Sequence, residues 1–173
     1  MAIIEAIATT YLEANDTAVI FDDIPSTYEH LQVSVSAVDT SSDVFESVYM
    51  QLGDSGHSPV DTGANYSRHY LYGYTSSELA GVEVAQTNMW IGKIAAFQNG
   101  KPWYGTLDID IVDYANVNKF TTINALNFSG TGTYNRWTCG SWNDVSVVNA
   151  IKIYGNGSLG RGTTITLYGL KSS

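Results

Sequence analysis

Residues 30–38 read HLQVSVSAV, with Leu31, Val33, Val35 and Ala37 set to one side and Gln32, Ser34 and Ser36 to the other. A period of two sorts apolar from polar side chains only on an extended strand. A strand with one apolar face must be covered by another layer, so this stretch alone demands a sheet packed on something. The pattern returns at residues 105–112, where Leu107, Ile109 and Ile111 alternate with Asp108, Asp110 and Val112. It returns again near the C-terminus, where Thr163, Ile165 and Leu167 alternate with Thr164, Thr166 and Tyr168.

Weaker versions cover residues 5–12, 17–21, 44–51, 87–95, 120–130 and 150–157, and residues 66–74 place Tyr66, Arg68, Tyr70 and Tyr72 on one face. Turn chemistry separates them: DDIPSTY, GDSGHSPVDTGAN, NGKP and ANVNKF are rich in Gly, Pro, Asn and Asp. Residues 76–86 read as a loop or one helical turn, and residues 130–144 carry two tryptophans between polar residues without a clear period. Sixteen Gly, twelve Tyr and only 14% charged residues fit strands better than helix surfaces. The reading is all-β: eight or nine strands in a two-sheet antiparallel jelly-roll-like β-sandwich, one domain over residues 1–173. Leu31, Val33, Val35, Leu107, Ile109, Ile111, Ile151, Ile153, Ile165 and Leu167 are its expected core. The terminal strand is expected to pair centrally with the start of the chain.

Seventeen acidic against eight basic residues leave a net charge of -9. That disfavours nucleic acid and anionic membrane surfaces, which need basic patches. Cys139 is the single cysteine, so no internal disulfide forms. The N-terminus MAIIEAIATTYLEAND lacks a basic start, and Glu5 breaks its apolar run, so folding in a reducing cytoplasm is expected.

The chain offers little for catalysis. His30, His57 and His69 lack metal-site spacing, and Cys139 has no cysteine partner, so no metal and no cofactor are expected. Asp108 and Asp110 share a strand face, roughly 7 Å apart at two residues of rise. Such a pair could bind calcium or act as acid and base in glycoside hydrolysis, but the favoured reading is a solvated acidic face that guards a sheet edge. GHSPV and CGSWN lack a nucleophile elbow, and GNGSLGRG lacks the lysine and helix of a phosphate loop. The aromatics Trp90, Trp103, Tyr104, Tyr134, Trp137 and Trp142 lie near predicted strand ends or loops and are the candidate binding residues. The competing assignment for each is the core of the sandwich.

FDDIPSTYEHLQVSVSAV, NYSRHYLYG, DIDIVDYANVNKF and ITLYGLKSS occur in this order along nearly the whole chain. Together they resemble a group of small β-sandwich virion structural proteins of tailed phages of aquatic bacteria. The resemblance implies a capsid decoration (cement) protein that binds the major capsid protein, or else a tail-fibre module that recognises host-surface glycan. It implies no catalytic residues, and a location on the virion after synthesis in the bacterial cytoplasm. The free-standing length of 173 residues favours decoration. A homotrimer is expected, since phage shells offer three-fold positions, with residues 1–16 touching a neighbour or the shell.

Overall fold

The computed structural model of the chain describes residues 3–57, 59–97 and 103–171. Its twelve strands lie in two layers, and no helix occurs among the described residues. The larger layer runs in the order β1 (Ile3–Tyr11), β12 (Thr164–Lys171), β3 (His30–Asp39), β8 (Gly105–Val112), β9 (Thr121–Phe128), β10 (Tyr134–Trp142), β5 (Tyr66–Tyr74) and β6 (Ser77–Gln86), all antiparallel neighbours. The smaller layer is β2 (Asp16–Phe21), β11 (Ala150–Leu159), β4 (Phe45–Gly53) and β7 (Met89–Ala96). The end of β3 joins the two: Val38 and Asp39 run parallel to Ala95 and Ala96 of β7.

All ten residues expected inside are at most 2% exposed. They meet Val48, Met50 and Leu52 of β4 and Met89, Ile91 and Ile94 of β7 in one apolar core. Each such side chain contributes about 1.5–3 kcal/mol by leaving water.

β12 lies between β1 and β3, with Ile165 opposite both Thr10 and Val35. The chain ends do pair, but at the margin of the layer rather than its centre, because β1 is outermost. β8 lies between β3 and β9, so its acidic face guards no edge. Asp108 is exposed on the outer surface, and the Asp110 carboxylate accepts hydrogen bonds from Gln32 and Asn124 on the flanking strands. These carboxylates keep the middle of an open sheet face soluble.

The described residues hold twelve strands where eight or nine were expected, for local reasons. Residues 77–86 form a strand, not a loop or helical turn, because β5 and β6 close a tight hairpin with Thr75 at φ 52° in its turn. β10 is central although its inner face reads Tyr134, Arg136, Thr138, Gly140 and Trp142, a face without aliphatic residues. β11 continues through GNGSL because the buried Asp39 carboxylate needs room there: a Cβ on Gly157 would lie 2.5 Å from its Oδ1. The turn expected at NGKP lies outside the described residues, as do Met1 and Ala2 of the N-terminal segment.

β7 ends the smaller sheet, and its main chain is satisfied from the layer beneath. The Lys93 N–H donates to Asn127 Oδ1 at 2.9 Å, and Asn127 Nδ2 donates to the Lys93 carbonyl at 2.8 Å. Gly92 makes this approach possible, since a Cβ there would stand 2.4 Å from Asn127 Cγ.

Candidate functional site

Register pairing sets out the outer face of the larger layer residue by residue. Leu126 of β9 faces Trp137 of β10, Trp137 faces Leu71 of β5, and Leu71 faces Ala80 of β6. These four side chains make an apolar row across four strands on the solvent side. Leu126 is 61% exposed and Trp137 52%, so the row is open to solvent. Neighbouring rows are mixed: Val82, His69, Cys139, Asn124 and Asp110 on one side, Glu78, Gly73, Asn135 and Phe128 on the other. The Trp137 indole N–H donates to Asn124 Oδ1, which fixes the ring against the sheet. Two shallow grooves of about 420 and 400 Å³ flank Leu71 and Trp137.

The inner face of the same strands, beyond the margin of β7, is also aromatic but closed. Tyr70 and Tyr72 stack with centroids 6.0 Å apart, and Tyr72 stacks on Tyr134 at 5.4 Å. Trp90 reaches over them from β7, 6.1 Å from Tyr70. The guanidinium of Arg136 is buried beneath these rings, with Nε donating to Thr138 Oγ1 at 2.7 Å. Its Nη2 has no hydrogen-bond partner. Burial draws the Arg136 pKa below the ordinary guanidinium value, with the Tyr134 hydroxyl opposing. Lys93 lies over Phe45 at 4.4 Å and Tyr134 at 5.4 Å, and burial lowers its pKa while Glu46 raises it. The cage is filled by the chain's own cations, so a further cation has no place in it. Nearby, Arg68 is neutralised by Glu83 and donates to the Asn88 carbonyl at 2.9 Å.

The candidate aromatics thus separate. Trp137 alone presents its ring on the flat outer face. Trp90 and Tyr134 belong to the inner cluster. Trp103 is 38% exposed just before β8. Tyr104 is a structural clamp: its hydroxyl donates to the Arg161 carbonyl at 2.9 Å, over the turn where Gly162 has φ 88°. Trp142 is the clear correction. It is fully buried, and its indole N–H donates to Asp61 Oδ2 at 2.7 Å, so it cannot serve as a platform.

Asp61 organises the loop that carries His57. It also accepts from the Gly63 N–H at 2.7 Å and from Asn65 Nδ2 at 2.8 Å. Burial pushes the Asp61 pKa up, but the bonds from Trp142, Asn65 and Gly63 outweigh it and hold the group below the ordinary aspartate value. His57 sits between two carboxylates, with Nδ1 2.6 Å from Asp54 and Nε2 3.7 Å from Asp61, and its ring edge meets Trp142. The histidine fastens the loop. Among the described residues no three His, Cys, Asp or Glu side chains gather to hold a metal ion.

Sequence reasoning missed Leu71, Leu126 and Arg136. The two leucines had no role in the sequence reading, and only cross-strand register shows them flanking Trp137.

No family model matches this chain, and no curated protein matches it in sequence. Solved structures resemble it only distantly. The galectin LEC-6 of Caenorhabditis elegans is 11% identical over 95% of this chain and 96% of that one, with a TM-score of 0.38. The PL-14 alginate lyase of Aplysia kurodai is 5% identical over 87% and 72%, with a TM-score of 0.37. The CBM40 of the Ruminococcus gnavus IT-sialidase, bound to α2,3-sialyllactose, is 14% identical over 94% and 92%, with a TM-score of 0.31. At these values no residue role is carried over. The chain's own strand order makes it a two-layer, jelly-roll-like β-sandwich.

Proposed function

We propose that this chain is a virion structural protein that works by binding and not by catalysis, decorating the capsid by docking on the major capsid protein. The observation that carries this reading is the exposed row Leu126–Trp137–Leu71–Ala80. A flat apolar strip with a large aromatic at its middle and polar residues on both sides has the make-up of a protein-docking surface. Many copies on one shell add up: each bound copy favours the assembled state by mass action.

One observation favours a second reading, glycan recognition by a receptor-binding module. The Trp137 ring is anchored to Asn124 and lies next to a row that includes His69 and Asp110. A stacking ring beside hydrogen-bonding groups suits a sugar as well. Particles prepared without the protein separate the two. Under decoration they lose DNA at lower temperature or under osmotic shock, and added wild-type protein restores them while Trp137→Ala does not. Particles that withstand heat normally but fail to adsorb to cells overturn decoration in favour of the glycan reading.

A further inference from the structure

Each open edge of a sheet offers unpaired main-chain groups, and folded proteins block such edges with bulges, charges or covering groups. Three of the four edges here are blocked. β1 has a bulge in mid-strand, between Ala6 and Ala8. β2 is only six residues long and begins on Asp16, where the pairing with β11 loses register. The β7 edge is occupied by Asn127. β6 is different. It is ten residues long, pairs among the described strands only with β5, and exposes Leu79, Val82 and Val84. Its irregularity is confined to one end, where Ala85 has φ 53°, and Ser77–Glu83 is a regular strand.

We propose that the β6 edge pairs with the same edge of a second copy, antiparallel about a two-fold axis at Ala80, joining two larger layers into one continuous sheet. The strand is self-complementary in that register. Glu78 falls opposite Val82 of the second copy, Glu83 opposite Ser77, and Leu79 opposite Gly81. No glutamate meets a glutamate, and Glu83 is already neutralised by Arg68 within its own chain. Leu79 meets the glycine over which Tyr70 lies, where a Cβ would stand 2.5 Å from the Tyr70 hydroxyl. Small Ala80 falls opposite itself. The apolar row Leu126–Trp137–Leu71–Ala80 then runs on through the axis into the second copy's row, doubling the exposed strip. Main-chain hydrogen bonds supply the affinity and the alternating side chains supply the register. A net charge of -9 on each copy opposes association, so added salt strengthens it.

Sedimentation equilibrium of the full chain at low and raised salt tests this, together with Ala80→Lys, Ile4→Lys on the β1 edge, and Ala80→Cys in a Cys139→Ser background. The expected result is a doubled mass for wild type and Ile4→Lys, favoured by salt. Ala80→Lys, which sets like charges on the axis, is expected at monomer mass with an unchanged circular dichroism spectrum. Mild oxidation of the Ala80→Cys variant is expected to give a covalent dimer. The oxidation result stands even where Ala80→Lys fails to fold. A monomeric wild type at raised salt, a trimeric mass, a folded Ala80→Lys that stays dimeric, or an Ile4→Lys that alone dissociates would each overturn the pairing. A dimer whose Ala80→Cys form does not cross-link overturns the Ala80-centred register.

Discussion

The guanidinium carbon of Arg136 lies 3.7 Å from the ring centroid of Trp90, and 4.0 Å from that of Tyr70. A cation withdrawn from water is held here by the negative faces of two rings. The two halves of this contact should respond differently to removal. Trp90→Ala leaves a buried charge without its cover and should cost about 3 kcal/mol. Arg136→Met removes the charge but keeps the volume, and should lie within about 1 kcal/mol of wild type. Urea unfolding midpoints at constant slope compare them. Equal costs, or a larger cost for Arg136→Met, would show that the cation is the anchor of the cluster.

Asp61 ties stability to acid. Its pKa, and that of Asp54 beside His57, are held below the ordinary 3.8. A carboxylate whose folded pKa lies below its unfolded one adds stability that is fully present above 3.8 and is lost as pH falls through the folded value. Thermal midpoints should therefore fall steeply below that pH. Asp61→Asn should unfold more easily at neutral pH by about 2–4 kcal/mol and show a shallower acid decline. An unchanged acid slope in the variant would remove Asp61 from this account.

Two glycines are needed for different reasons. A Cβ on Gly140 would stand 2.1 Å from the Ser67 carbonyl oxygen of the neighbouring strand, a backbone atom that cannot move aside. Gly140→Ala should cost about 2–3 kcal/mol or more, as over-packing does. Gly132 has φ 79° with nothing within 4 Å of an added Cβ. Gly132→Ala should cost only about 1 kcal/mol, the strain of the left-handed conformation. Chemical denaturation of the pair checks the ordering.

Trp137 and Trp142 are near in sequence and opposite in role. Trp137→Ala should change stability by about 0.5 kcal/mol or less, since its ring is half exposed, while weakening attachment to particles or cells about tenfold or more. Trp142→Ala opens a cavity and strands Asp61, and should cost about 3–5 kcal/mol. A strongly destabilised Trp137→Ala would assign that ring to the fold instead of to a partner.

Eight of the ten aliphatic residues expected inside are inside because they lie on the strictly alternating β3, β8 and β12, and one slip of register would have exposed them all. β6 and β10 escaped the same reading for opposite reasons. β6 is exposed on most of its length and has no buried stripe to announce it. β10 buries Arg136, Thr138 and Trp142, residues that look like surface until their partners are known. The acidic face of β8 was legible as solvent-facing, but its place between β3 and β9 was not.

The sequence by itself determined the all-β class, the alternating core and the solvent side of Asp108, because these follow from the spacing of residues along one strand. Strand order, the burial of Trp142, the Arg136 cage and the row through Trp137 were decided only by tertiary structure. Each depends on which strands lie side by side and in what register. That pairing joins residues far apart in the chain, such as Trp142 and Asp61 or Trp90 and Arg136. Local periodicity says which way a side chain points; only the assembled sheet says what it meets there.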